Sequence, residues 1–260
     1  VGTEEDVNTN GENFASWNWK ANGSGSANSD GSIYSTVSVD TTSGFSIVSY
    51  TGNGTLGATV GHGLGQTPGL FVTKRLSGTS SWGMYHQSTG AGGFMELNSN
   101  NALQSNAAYF NNTAPTSSVF SIGTDSINNT SGSTYIGYCF AEKQGYSKFG
   151  KYTGNGNADG TFTYLGFKPA FVMIKRYDSG TLDWNMYDNK RLGYNGGDAP
   201  LFANLSNAES NDLGRIDLLS NGFKIRTSND QLANDGGSFL YIAFAAAPLV
   251  GTNNVPATAR

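Results

Sequence analysis

Two short aromatic segments contain the residues best suited to ligand binding in this sequence. One segment carries Trp82 and Tyr85, and the other carries Trp184 and Tyr187. An indole close to a phenol offers flat apolar faces with polar edges, which suits stacking on a sugar ring. We therefore predict that these four residues bind glycan. The alternative is that they pack the core, because large aromatic side chains usually do so.

Acid–base and nucleophilic chemistry find little support in the spacing of titratable residues. A glycosidase needs two carboxylates held about 5–9 Å apart. Asp178, Asp183 and Asp188 lie five residues apart, which alternates strand faces and gives no evident pair. His62 and His86 have no Ser or Cys nucleophile in a recognised motif nearby, and we expect surface or turn histidines. The sequence predicts no catalytic residue and no enzyme.

Metal and thiol chemistry are also poorly supported. Asn155–Gly160 matches the first half of a calcium-binding loop, but position 12 of that motif, normally Glu, is Gly166. A hairpin turn is the better prediction. Two histidines and one cysteine cannot form a His-rich metal site or an intrachain disulfide. We expect Cys139, on an aromatic-rich segment, to be buried and inert, and we predict no metal and no cofactor.

Two basic pairs follow segments rich in β-branched and aromatic residues. These pairs, Lys74–Arg75 and Lys175–Arg176, could contact an anionic polysaccharide. Cations at a sheet edge also discourage pairing with another sheet. We therefore predict solvated side chains at an edge.

The composition excludes several classes of partner. Charged residues make up 13% of the 260 residues, against about 25% in typical domains. A net charge of −4 gives no basic surface, which disfavours nucleic acid. The longest uncharged apolar stretch, Phe239 to Val250, contains Pro248 and is shorter than the roughly 20 residues of a membrane span.

The sequence contains an internal repeat. Tyr50–Gly54 recurs as Tyr152–Gly156, a spacing of 102 residues (152 − 50). Four further matches follow in the same order: Pro68–Arg75 with Pro169–Arg176, Trp82–Tyr85 with Trp184–Tyr187, Phe120–Ile122 with Phe223–Ile225, and Tyr135–Ile136 with Tyr241–Ile242. Five landmarks in one order indicate a repeated structural unit.

The local pattern within each unit is that of β-strands. Tyr135–Phe140 and Phe239–Phe244 alternate with a period of two, and Asn-Gly pairs typical of tight turns separate such segments. We predict an all-β fold of tandem, jelly-roll-like β-sandwich repeats. Helix is limited to a turn near Ala102–Ala108 or Asn207–Asp212.

The repeat divides the chain into four parts. Residues 1–43 are predicted to be the end of an upstream repeat plus a Gly/Ser/Asn-rich connection, since Asn13–Trp19 resembles the closing strand of a unit. Residues 44–145 and 146–249 form the two β-sandwich repeats, and residues 250–260 form a C-terminal tail. We expect the gene product to extend further toward its N-terminus. Whether the repeats are separate domains or halves of one larger sandwich stays open.

These motifs together resemble a family of tandem repeat domains found in structural proteins of marine tailed bacteriophages. The residues that carry the resemblance are Tyr50–Gly54, Val60–Leu64, Phe71–Arg75, Tyr135–Glu142 and Phe149–Gly156. It covers residues 13–249, although Thr163–Phe167 replaces the His-Gly-Leu element in the second copy. The resemblance implies a virion-surface component such as a tail fibre, head fibre or decoration protein. It implies no particular ligand or catalytic residue.

The functional prediction combines the residues with this resemblance. We expect a non-enzymatic phage virion surface protein that binds host glycans, and the alternative is a secreted bacterial carbohydrate-binding or adhesion module. The expected partners are further copies of the chain, with a homotrimer favoured, other virion proteins, and host surface polysaccharide. Nucleic acid and a membrane span are not expected. The Ala-rich segment Ala243–Ala247 offers a smooth apolar strip for self-association.

Overall fold

The computed structural model describes residues 5–191, 195, 199–209, 214–233 and 235–246, and strands dominate these residues. Three short helices occur in this part of the chain: α1 (Glu5–Asn8), α2 (Ala107–Phe110) and α3 (Asp230–Ala233). The strands, in chain order, are β1 (Ser26–Asn28), β2 (Ser35–Asp40), β3 (Phe45–Thr51), β4 (Ala58–Gly61), β5 (Leu70–Arg75), β6 (Trp82–His86), β7 (Met95–Glu96), β8 (Val119–Ile122), β9 (Thr134–Phe140), β10 (Ser147–Thr153), β11 (Phe162–Tyr164), β12 (Pro169–Arg176), β13 (Asn185–Asp188), β14 (Leu201–Phe202), β15 (Ile216–Leu219), β16 (Gly222–Ile225) and β17 (Ser238–Ala245). The fold is all-β, as predicted.

Two large antiparallel sheets contain most of the strands. The first has the order β1-β2-β3-β9-β5-β6-β7, and the second has the order β10-β17-β12-β13-β14. We call residues 45–140 unit 1 and residues 147–245 unit 2. The order β3-β9-β5-β6-β7 in the first sheet matches the order β10-β17-β12-β13-β14 in the second, strand for strand. Each unit also has a small sheet, β4-β8 in unit 1 and β11-β16-β15 in unit 2.

The strand register corrects one detail of the sequence alignment. Tyr50 lies opposite Tyr135 in the first sheet, and Tyr152 lies opposite Phe239 in the second. The closing strands are therefore spaced by 104 residues (239 − 135), not by 106. A shift of two residues leaves every side chain on its original face, so the alternating pattern could not reveal the error.

Three hydrophobic cores separate four layers of sheet. The first lies between the first large sheet and β4-β8, and contains Tyr50 and Phe120. The second lies between the second large sheet and β11-β16-β15, and contains Tyr152 and Phe223. The third, which we call the central core, lies between the two large sheets. Its buried residues are Leu70, Val72, Met84, Met95, Phe149, Phe171, Trp184, Leu240, Ile242 and Phe244. The large sheets thus form the inner layers.

The N-terminal segment differs from its prediction as an upstream strand and a flexible connection. Asn13–Trp19 forms no strand, yet Trp17 and Trp19 pack against the central core, the latter at 5.1 Å between ring centroids from Phe244. The expected Gly/Ser/Asn-rich connection contains β1, and β2 pairs along its whole length with β3. The first sheet therefore begins before residue 44.

Helix is as scarce as predicted, but its positions differ in part. The predicted turn at Ala102–Ala108 overlaps α2, whereas residues 207–209 are not helical and residues 210–212 lie outside the described residues. The predicted C-terminal tail, 250–260, also lies outside them. None of the helices in the described part of the chain has the length and apolar character needed to cross a membrane.

Candidate functional site

Burial changes the predicted set of aromatic binding residues. Tyr85, Trp184 and Tyr187 expose only 5%, 1% and 0% of their surfaces. Trp184 is enclosed in the central core, where its indole N–H donates to the carbonyl of Glu96 at 3.1 Å. A buried ring has no face on which a sugar can stack. We therefore retain only Trp82, which is half-buried, in the candidate site.

The two tryptophans sit in matching local structures. The backbone N–H of Trp82 donates to the side-chain oxygen of Asn98 at 2.8 Å, and that of Trp184 donates to Asn204 at 2.9 Å. In the first sheet Trp82 lies opposite Lys74, and the Lys74 ammonium is 5.6 Å from the centre of its ring. The difference between the tryptophans lies in what covers them.

A segment of unit 1 covers the Trp184 end of the second sheet. The Lys175 ammonium donates to the carbonyl of Asn100 at 3.0 Å, and the backbone N–H of Thr181 donates to the same carbonyl at 3.1 Å. The N–H of Leu103 donates to the carbonyl of Tyr177 at 2.9 Å. These bonds hold unit 1 across unit 2, whereas Trp82 stays partly open to solvent.

An open, largely apolar groove of about 440 Å³ lies between the large sheets. Aromatic and sulfur-containing side chains form much of its wall, including Trp17, Trp19, Trp82, Tyr138 and Met173. The ring of Tyr138 stacks near that of Trp82, with centroids 6.4 Å apart and planes 20° apart. This groove has the size of a ligand pocket.

A second pocket, of about 510 Å³, lies at the β2, β3 and β9 strands of the first sheet. Its lining includes Tyr34, Thr36, Ser49, Thr51, Leu76 and Thr134. Tyr34 is 81% exposed and Leu76 is 59% exposed. These residues are not among the predicted site residues, because the Tyr34 segment is predicted to be a connection. The alternating Ser-Thr-Val-Ser-Val run at 35–39 was the available signal for a strand.

The basic pairs do not lie at sheet edges, contrary to prediction. β5 and β12 are interior strands, and Lys175 is completely buried. Burial lowers the pKa of Lys175 to about 8. The Lys74 ammonium turns back to donate to the carbonyl of Ser80, and Arg176 forms an ion pair with Asp178 at 2.8 Å. Both lysines therefore act as hydrogen-bond donors to loops.

The two histidines are buried, which corrects the prediction of surface residues. His62 contacts the carbonyl of Thr116 through Nε2 at 3.2 Å. In His86, Nδ1 accepts the N–H of Ser88 at 3.1 Å, so Nε2 carries the proton and donates to the carbonyl of Tyr241 at 3.2 Å. Burial lowers the pKa of both, to about 4 for His86. His86 thus links unit 1 to unit 2 as a neutral imidazole.

The single cysteine is buried, as predicted. Cys139 exposes none of its surface and belongs to the core beneath β4-β8. Burial raises the pKa of its thiol strongly. By the strand register it corresponds to Ala243, rather than to Ala245 as the sequence alignment suggested. Its role is to fill space between aromatic neighbours.

The three aspartates considered for catalysis each serve local structure. The Asp178 carboxylate accepts the N–H of Ser238 at 2.7 Å. Asp183 accepts the side-chain N–H of Asn204 at 2.7 Å, and Asp188 forms an ion pair with Arg191 at 2.7 Å. These contacts tie loops to strand ends.

The loop that resembles a calcium site is a turn stabilised by its own side chains. Asn155 accepts the N–H of Asn157, which in turn accepts the N–H of Asp159. The Asp159 carboxylate is 2.5 Å from the Lys224 ammonium. The turn joins β10 and β11 in different sheets, so it is not the predicted hairpin. Within the described ranges, no three His, Cys, Asp or Glu side chains could together hold a metal ion.

Comparison with known proteins identified one family. The family model, described as a domain of unknown function (DUF7483), matches residues 1–248. No curated protein and no solved structure matches the chain.

Proposed function

The chain belongs to the DUF7483 family, and from this premise we propose that it is a non-enzymatic component of a phage virion surface. The proposed role is that of a tail fibre, head fibre or decoration protein. The observation that carries the proposal is the set of repeated motifs that resemble phage structural repeats, such as Tyr50–Gly54 and Tyr152–Gly156.

The two units are, in this proposal, tandem copies of one β-sandwich. The same strand order in both sheets supports it. Equivalent hydrogen bonds add to this support. The Tyr50 hydroxyl donates to the carbonyl of Asn128 at 2.8 Å, and the Tyr152 hydroxyl donates to that of Leu232 at 2.7 Å. Copies joined through a central core would form a stiff spacer, which suits a fibre or decoration protein.

Host glycan is the proposed ligand, bound on the particle outside the cell. The support is Trp82, whose ring is half-buried and lies beside that of Tyr138. A net charge of −4 disfavours strongly acidic ligands, so a neutral or weakly anionic glycan is proposed. Binding would need no metal ion. Many copies on one particle would strengthen a weak single-site interaction through effective concentration.

Self-association into a homotrimer belongs to the same proposal, because phage fibres are commonly threefold. Other virion proteins would anchor the assembly. Multi-angle light scattering at micromolar concentration should give about three times the 27.4 kDa chain mass. A stable monomer would contradict the trimer.

The location is tested by mass spectrometry of purified particles of the phage that encodes the chain. We expect the protein in particles banded by density gradient, and we expect antibodies against the chain to label the particle surface in electron micrographs. The alternative, a secreted bacterial carbohydrate-binding or adhesion module, predicts the protein in particle-free culture supernatant instead.

A further inference from the structure

The first sheet exposes part of the face that it turns toward unit 2. We call this region the open face: Tyr34, Thr36, Ser49, Thr51, Leu76 and Thr134, with Trp82 at its margin. The first six line one pocket of about 510 Å³. We propose that the open face binds a neutral glycan chain, an inference that rests on the proposed glycan-binding function and gives it a specific site.

The strand register places these side chains side by side. Thr36 lies opposite Ser49, and Ser49 lies opposite Ile136. Ile136 lies opposite Lys74, which lies opposite Trp82. Residues directly opposite one another share a face of the sheet. A continuous row therefore leads from hydroxyl groups on β2 and β3 to the tryptophan on β6.

A second row runs beside the first, two residues along each strand. Thr51 lies opposite Thr134, and the next segment is joined by the Leu76 N–H, which donates to the carbonyl of Thr134 at 2.8 Å. Neighbouring strands lie about 4.8 Å apart, so the pairs Thr36–Ser49 and Thr51–Thr134 each present two hydroxyl groups close together. Tyr34 stands next to these groups with most of its ring exposed.

The chemistry of the open face matches an uncharged sugar. Hydroxyl groups both donate and accept hydrogen bonds, as sugar hydroxyls do. The exposed ring of Tyr34 and the half-buried ring of Trp82 offer apolar surfaces for the C–H faces of pyranose rings. No residue that lines the pocket carries a charge. An anionic polymer would find no cation in this pocket, and Lys74, on the row that leads to Trp82, donates its ammonium to the carbonyl of Ser80. A hydrophobic partner would have to bury several hydroxyl groups without compensation.

The described residues of unit 2 offer no equivalent site. No strand corresponding to β2 pairs with β10, which is the edge of its sheet in the described part of the chain. The position matching Ser49 is Lys151, since these residues directly precede the matched tyrosines Tyr50 and Tyr152. The Trp184 end is covered by the segment of unit 1 that contains Asn100. We therefore expect one glycan site per chain.

The test is binding of the full chain to a glycan array carrying neutral and acidic oligosaccharides, followed by titration calorimetry with the best neutral hit. Tyr34→Ala should weaken binding about tenfold through loss of ring stacking. Thr51→Ala combined with Thr134→Ala should weaken it further. The matched control is Tyr164→Ala, which removes a 60% exposed tyrosine from unit 2 and should leave binding unchanged. Thermal unfolding of each variant verifies that it folds.

Several outcomes would overturn the inference. These are an absence of binding to any neutral glycan, binding insensitive to Tyr34→Ala, a stoichiometry of two sites per chain, or preferential binding to acidic glycans. Self-association that Tyr34→Ala abolishes would identify the open face as an interface between copies instead. The proposed virion location is tested separately by particle mass spectrometry, so failure of glycan binding leaves that result unaffected.

Discussion

His86 illustrates how a single buried polar residue links the two units. Its imidazole lies in unit 1 and donates to the carbonyl of Tyr241 in unit 2. The folded protein keeps it neutral, with a pKa near 4, while an unfolded histidine titrates near 6.5. Below pH 6.5 this histidine is protonated in the unfolded chain but stays neutral in the folded chain until the pH approaches 4. The contribution of this residue to stability therefore decreases as pH falls.

We expect the free energy of unfolding to fall by about 3 kcal/mol between pH 7 and pH 4 because of His86. The measurement is urea unfolding at several pH values, for the wild-type chain and for His86→Gln, which retains a side-chain N–H donor. The difference between the two curves isolates the histidine. A pH dependence that is identical in both proteins would contradict the assignment.

Trp82 and Trp184 occupy matching positions but differ in burial, which gives a second prediction at this scale. Trp184→Ala should lower the free energy of unfolding by about 3–5 kcal/mol, because it empties part of the central core. Trp82→Ala should cost less than half as much, since its ring is already partly hydrated. Denaturant titration of both variants measures the difference. Equal losses would mean that Trp82 is as enclosed as Trp184.

At the scale of elements, a tyrosine hydroxyl in each unit donates a hydrogen bond to a backbone carbonyl that precedes the last strand of the unit. Tyr50→Phe and Tyr152→Phe each remove one hydroxyl donor and leave a buried carbonyl, of Asn128 or Leu232, without that partner. Each should cost about 1–2 kcal/mol. Denaturation of the two single variants and the double variant tests this. Losses that differ by more than about twofold would argue that the units are not equivalent.

At β10, the edge strand of the second sheet, side chains and not a further strand bond to the backbone groups of Phe149. On β10, the backbone N–H of Phe149 donates to the carboxylate of Glu142 at 2.6 Å. The carbonyl of the same residue accepts the side-chain N–H of Gln87, also at 2.6 Å. Lys148 and Lys151 add charge along this strand. Such an edge resists pairing with a further sheet.

The sequence allowed the strands to be identified more reliably than their partners. Alternation at Tyr135–Phe140 correctly predicted a strand whose odd and even residues face different cores. It could not detect the two-residue error in aligning β9 with β17, because such a shift preserves faces. The strand β2 was missed because Ser and Thr dominate it, and its β character depends on pairing with β3.

At the scale of the whole molecule, contact between the two units explains part of the remaining failures of prediction. His86 and Lys175 are polar residues in short segments, which normally indicates exposure. Each donates to a carbonyl of the other unit, and Lys175 donates to the carbonyl of Leu182 in its own unit as well. Of the predicted binding aromatics, Trp184 is buried in the central core between the units. Tyr85 and Tyr187 are buried in the cores of their own units, and only Trp82 remains in the site.

The central core leads to a prediction about how the molecule unfolds. Its residues come from both large sheets, and hydrogen bonds from His86, Gln87 and Trp184 cross between the units. An apolar interface of this kind makes each unit part of the other's core, so unfolding one exposes apolar surface of its neighbour. We therefore expect a single cooperative transition in urea, with coincident curves from tryptophan fluorescence and far-UV circular dichroism.

Leu240→Ala shortens a side chain of unit 2 in this core. It should lower the free energy of unfolding by about 2–4 kcal/mol without splitting the transition. Two separate transitions in the wild-type chain, with only one of them moved by Leu240→Ala, would mean that the units are independent domains.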